Sequence, residues 1–449
     1  MPGPTAARPR PPADEKRQRA VVRTLALGGS EVTWSPMGTV ESAADKQKRL
    51  AAARRRQQVR RRRTVATALL GLFITACVAA ALALADSDGS SAPARRLAAH
   101  RGSSVRARQL SASAPAAINI YSHTLAGMLT PVTRRARYLV YVPDSQGNGV
   151  YVIDPRRFRV INYFQTGAVV EHVVPAWDLR TLYATNDVGN SLTRIDPNTG
   201  RRVGPNLPVT DPYNMYFTPD GRHAIVVEEA LGTLAFRDPH TLALQKTLPV
   251  HCPGIDHMDF SADGSFALAS CEFSAQMVRV DLRTESVSGY VHVGGSPQDV
   301  KLSPDGRIFY VANRFLQRRN ASGVQLVDAR TMRVVGFVRT RLDAHGLYVS
   351  RDTKYLYVTN RAGGAITVID FATRRIVAVW PVPGTPDMGG VSPDGRTLWV
   401  SGRYSGAVYA ISTRTGHVLA NIRVGVSPHG VCVWPQPGRY STGHTGVMR

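Results

Sequence analysis

The chain carries no phosphate-binding loop, no dinucleotide glycine fingerprint, no G-x-S-x-G elbow, no H-E-x-x-H and no C-x-x-C-H. Nucleotide-driven, α/β-hydrolase, zincin and c-type haem chemistries therefore lack a local signature. Cysteine is scarce, with four in 449 residues, which excludes a disulfide-dense scaffold. Acidic residues are scarce early in the chain: about 7 of the 32 fall within residues 1–115, against about 21 of the 56 basic ones. Such a basic excess is a footprint of nucleic acid or a membrane surface. The arginine-rich stretch lacks interleaved aromatics, and a membrane explanation lies beside it.

Residues Thr64 to Ala85 (TVATALLGLFITACVAAALALA) contain no charge. About 20 apolar residues suffice to cross the hydrocarbon core as a helix. Arg54–Arg56 and Arg60–Arg63 precede the run, and Asp86 and Asp88 follow it. Clustered arginines stay on the cytoplasmic side. The reading is a cytoplasmic, mostly disordered basic tail (1–63), a transmembrane helix (64–86) and a Ser/Ala/Arg linker (87–115). The chain is then a single-pass membrane protein with an extracytoplasmic domain. Ala83-Leu84-Ala85 also fits a cleavage site, and the alternative is secretion after cleavage near Ala85.

From about residue 116 the texture changes to short β-rich runs. One strand recurs as YLVYVPD, TLYATND, HAIVVEE, FALASCE, IFYVANR, YLYVTNR and TLWVSGR, ending at Asp144, Asp187, Glu229, Glu272, Arg314, Arg361 and Arg403. The gaps between these ends run from about 42 to 47 residues, and a period in that range with several short strands per unit marks a propeller. Each unit adds a preceding strand ending in a turn (FSADG, LSPDG, VSPDG), a third strand (VYVID, ITVID) and a fourth after a polar turn. The first unit lacks its first strand, and the C-terminus has a spare one, SPHGVCVW (427–434), which should complete that blade and seal the ring. The fold class is all-β: a seven-bladed β-propeller over 116–436, closed by a C-terminal strand and followed by a tail, 437–449.

In a propeller the loops entering the first strand share one face with those after the second. The first set carries Glu171 and His172, Tyr213 and Asn214, Asp256 and His257, Gln298 and Asp299, His345, Asp387 and Met388, and His429. His172, His257, His345 and His429, with Glu171 and Asp256, are candidate ligands for a divalent metal, the cofactor this set would admit, or candidates for acid–base work. The bland alternative is a solvated polar channel. The second set, Asp144, Asp187, Glu229, Glu272, Arg314, Arg361 and Arg403, gives the face an acidic half and a basic half. Arginines in a concave site hold carboxylate or phosphate bidentately, or they pair with neighbouring acids and fix the loops. Cys252 precedes the first strand of one blade and Cys271 ends its second strand. Those ends are adjacent in an antiparallel pair, so a disulfide is expected, with a Cys/His metal cluster including His251 and His257 as the alternative.

YLYVTN (355–360), ITVID (366–370) and the SPDG turns resemble the YVTN-type β-propeller family. The resemblance covers about 116–436 and implies the fold, whereas the architecture hosts many unrelated activities. Distant relatives carry haem d or copper through histidines on one face, and lactonase-type propellers are cousins. Two functions follow as expectations. One is a binding scaffold whose charged mouth takes a protein, a glycan or an anionic small molecule. The other is a metal- or cofactor-dependent enzyme, lactonase-like or redox.

Overall fold

The computed structural model describes residues 118–316 and 321–449. The expected basic tail, membrane segment and linker lie outside the described residues. Within them, no helix is long and apolar enough to cross a membrane.

Alternation of apolar and polar residues, punctuated by turns, produces seven β-sheets arranged as blades. Blade 1 comprises Leu139–Asp144, Gly149–Asp154 and Arg159–Gln165, with Cys432–Trp434 as its innermost strand. The chain ends of the ring are thus joined by hydrogen bonding, Val140 opposite Val433. The innermost strands of blades 2 to 7 are Val170–Pro175, Asn214–Phe217, Ile255–Phe260, Pro297–Leu302, Ala344–Val349 and Pro386–Val391.

The turns are built by short polar side chains. Ser261, Ser303, Ser350 and Ser392 each donate Oγ to an aspartate two residues on and accept the N–H five residues on. The following residue needs a left-handed backbone, which glycine supplies at Gly264, Gly306 and Gly395. Thr353 takes the same conformation (φ 59°) in the copy without glycine.

Stability lies between the blades. Among the described residues seven apolar clusters occur, one at each interface of neighbouring blades. The cluster at the closing interface packs Trp399 and Val408 of blade 7 against Val140 and Val433 of blade 1. The fourth strands are largely exposed, because they form the rim.

Segment 437–449, read from the sequence as a tail beyond the propeller, folds into the ring. Ser441–Gly443 and Val447–Met448 extend the sheet of blade 3 inward to six strands. The physical reason is the inner edge of Asn214–Phe217, whose backbone groups would otherwise face the channel unpaired. The N–H of His444 donates to the carbonyl of Met215 at 2.9 Å. Arg449 then reaches Asp259 at 2.7 Å and lies over the ring of Tyr121. Tyr121 in turn bonds the carbonyl of Leu302, on the face opposite the charged mouth.

Cys252 and Cys271 are disulfide-bonded, with Cα atoms 5.7 Å apart and 19 residues of separation. Ile255 pairs with Cys271, so the bond staples the entry of blade 4 to its second strand. Cys432 is free and buried in the closing strand. Reduction is expected to lower the unfolding free energy by about 3 kcal/mol, the entropic value for a loop of this length. Urea titrations with and without dithiothreitol, or of Cys252→Ser/Cys271→Ser, measure it; superimposable curves would show that the staple is idle.

Candidate functional site

The channel residues are aimed by a repeated backbone device. In blades 2, 4, 6 and 7 the innermost strand shifts register by a bulge shortly after it begins. The second strand supplies a hydroxyl at the matching position, and it accepts the freed N–H. Thr185 takes that of His172 (3.1 Å), Ser270 that of His257 (3.0 Å), Thr359 that of Gly346 (2.7 Å) and Ser401 that of Met388 (3.1 Å). The bulge turns a side chain toward the axis instead of into the core.

All four sequence-predicted imidazoles meet there. Ring centroids are 4.8 Å apart for His172–His429, 5.5 Å for His172–His257, 6.4 Å for His257–His345 and 6.1 Å for His345–His429. A fifth, His444, arrives from the inserted tail, with centroids 4.7 Å from His257 and 5.5 Å from His172. Sequence reasoning missed it. It lies beyond the last repeat in a Ser/Thr/Gly segment with no periodicity, and its only signal was a histidine between glycines.

The five imidazoles fall into two groups. Asp387 gathers one: its oxygens lie 2.7 Å from His429 Nδ1, 3.2 Å from His345 Nδ1 and 3.2 Å from Arg361 Nη1. The other is His172, His257 and His444, which each offer one ring nitrogen within 4.8 Å of the other two. Burial is the first cause lowering all five, bringing His172 to about 3, so all are neutral at physiological pH. Of the predicted carboxylates, Asp256 lies 3.3 Å from His257 Nε2, outside hydrogen-bond geometry. Glu171 turns to Arg403 (3.0 Å) and accepts from Ser145 (2.9 Å). Asp299, one of the carboxylates the repeat places before a first strand, is buried. Burial alone would raise its carboxyl, but Lys301 and His444 hold it well below the usual range.

The second set closes the mouth above this ring. Arg314 bridges Glu272 (2.9 Å) and Asp343 (2.8 Å), Arg361 bridges Asp343 (2.9 Å) and Asp387, and Arg403 holds Glu171. Asp343 is the member missed in the sequence; it precedes the aligned position by one strand. Against burial, these acids keep all three guanidiniums charged. On the acidic half the roles divide. Asp144 caps the N–H groups of Val426 (3.0 Å) and Ser427 (2.8 Å), which fixes the closing loop. Burial and then the charge of Asp187 raise Asp211 to about 10, so it carries a proton at neutral pH, with Glu229 nearby.

Residues 91–438 match the YNCE-like beta-propeller family. The chain belongs to that family. It is 27% identical over 155 residues to a seven-bladed beta-propeller protein of Mycobacterium tuberculosis, a match spanning 33% of this chain and 37% of that relative. Among solved structures it is similar to the periplasmic gluconolactonase of Pseudomonas aeruginosa, at 20% identity and a TM-score of 0.56, covering 67% of this chain and 99% of that one. A dihydro-haem d1 dehydrogenase superposes with a TM-score of 0.52 at 18% identity, covering 70% and 79%. At these identities the likeness is one of fold.

Proposed function

We propose that the propeller is a binding module, held outside the cytoplasm by the apolar segment 64–86, that takes a small anionic ligand at the channel mouth. The observation that carries it is the state of the three arginines. All three are fixed by carboxylates, and two of them keep donors in reserve. Nη2 of Arg314, and Nε and Nη2 of Arg403, make no hydrogen bond among the described residues. They line a polar cavity of about 40 Å³ together with Gln298, Tyr404, His345 and His429. That volume admits a few waters or one carboxylate group, so the rest of the ligand would stand above the mouth. Pre-fixed guanidiniums lose little side-chain entropy on binding, which favours carboxylate or phosphate recognition over a loose ionic contact. The disulfide suits an oxidising compartment and supports the extracytoplasmic placement.

Calorimetric titration of the full chain with gluconate, citrate and succinate tests this. At least one is expected to bind, and Arg314→Ala should weaken it about 10- to 100-fold. Arg314 is the variant of choice because its side chain is 23% exposed, the most accessible of the three. No heat with any of them at millimolar concentration, or equal binding by the variant, would remove the arginine mouth as the site. A lactonase-like reading would require turnover of a lactone lost in the same variant.

A further inference from the structure

We propose that His172, His257 and His444 form a site for one divalent transition ion, zinc before others, deep in the channel, and that the C-terminal segment completes it by supplying the third ligand. The site lies below the arginine mouth and does not depend on that mouth binding anything.

Three observations carry it. The first is the donor set. Each of the three imidazoles is buried, and the Nε2 atom of each has no hydrogen-bond partner among the described residues. One orphaned buried nitrogen is a defect, whereas three, on rings from different parts of the chain that each bring a nitrogen within 4.8 Å of the other two, describe a cavity shaped for something. Zinc–nitrogen bonds of about 2.0–2.1 Å in a tetrahedron place their nitrogens about 3.3 Å apart. Small side-chain rotations bridge that difference.

The second is orientation from the other ring nitrogen. His172 Nδ1 lies 2.9 Å from the carbonyl oxygen of Tyr213. A carbonyl only accepts, so Nδ1 carries the proton and Nε2 presents its lone pair. Asn214 faces the Nδ1 atoms of His257 (3.2 Å) and His444 (2.8 Å) with its side-chain amide. With that amide turned to present Oδ1, both rings donate from Nδ1 and all three Nε2 atoms become ligands. The turn gives up the bond from the Met215 N–H.

The third is charge. Three neutral imidazoles bring none, and carboxylates sit at the edge of the cluster: Asp256 is 3.3 Å from His257 Nε2 and Asp299 is 3.8 Å from His444 Nε2. A dication there would be balanced without displacing an existing cation. Three histidines leave a fourth tetrahedral position open to water. His429, which lines the mouth, is the ring nearest His172, so the route from solvent runs past it.

The test uses the full chain, stripped with chelator and dialysed against zinc chloride or cobalt chloride, with metal counted by mass spectrometry. One equivalent per chain is expected, with the visible absorption of tetrahedral cobalt and a higher melting temperature on zinc addition. Asn214→Ala should weaken zinc binding about 10- to 100-fold, the effect of losing an outer partner. His444→Gln should weaken it by at least as much while keeping a polar side chain for the tail. His223→Gln, whose ring faces Gln245 and Glu285 outside the channel, should bind as the parent does. Less than a tenth of an equivalent in the parent chain would overturn the proposal. So would full binding by a folded His444→Gln chain, or an octahedral cobalt spectrum that His444→Gln leaves unchanged. Failure of Arg314→Ala to affect anion binding would leave this site standing, and the reverse also holds.

Discussion

Chelator-treated protein is expected to lose up to about 4 kcal/mol of unfolding free energy between pH 7.5 and 5.5. His172, His257, His345, His429 and His444 are all buried, and burial is the largest influence lowering each of them. Unfolded imidazoles take up protons near pH 6.5, while burial makes the folded ones resist the charge. The unfolded state therefore binds more protons, and stability falls as the pH drops below 6.5. Across this interval each ring accounts for up to about 1.4 kcal/mol, or about 7 for five. Asp211 works in the opposite sense. Raised to about 10, it is protonated when folded and ionised when unfolded, so acidification returns about 2.7 kcal/mol. Histidine wins by number. Urea unfolding at half-unit pH steps measures the slope, and a flat or rising profile would mean that the channel imidazoles are solvated.

Replacing Arg403 by leucine is expected to destabilise the fold by about 3–5 kcal/mol, the range for removing one partner of a buried ion pair. Arg403 and Glu171 are 11% and 1% exposed and 3.0 Å apart. The variant leaves the Glu171 carboxylate in a channel that excludes most water, without the Arg403 guanidinium that held it at 3.0 Å. Arg403→Leu/Glu171→Leu should recover most of the loss, because two apolar groups of similar size need no solvation. Arg157→Ala is the control: that arginine is 64% exposed, and such surface pairs contribute little. A double variant as unstable as the single one would show that the loss comes from packing of the arginine stem and not from charge.

Much of this architecture was legible in the chain. The 42–47-residue spacing of strand ends located every second strand, because each blade solves the same packing problem with the same alternation and turns. Closure was legible too, since a repeat array missing its first strand and holding a spare last one has one satisfying arrangement. The Cys252–Cys271 bond followed from the two ends of an antiparallel pair. The convergence of four imidazoles followed from their shared place before the first strand.

The sequence could not say which way those side chains turn. The turn of His345 and His429 to Asp387 depends on a partner brought from another blade. The pairing of every mouth arginine with an acid is likewise a property of the ring, not of any repeat. His444 is the clearest case. Its segment has no periodicity, and its place is set by the open edge of Asn214–Phe217, a hydrogen-bonding vacancy that exists only once seven blades have closed around an axis. Local pattern determined the blades, because strands and turns are specified by near neighbours. The chemistry of the channel was decided by tertiary structure, because its groups lie far apart along the chain and meet only in the closed ring.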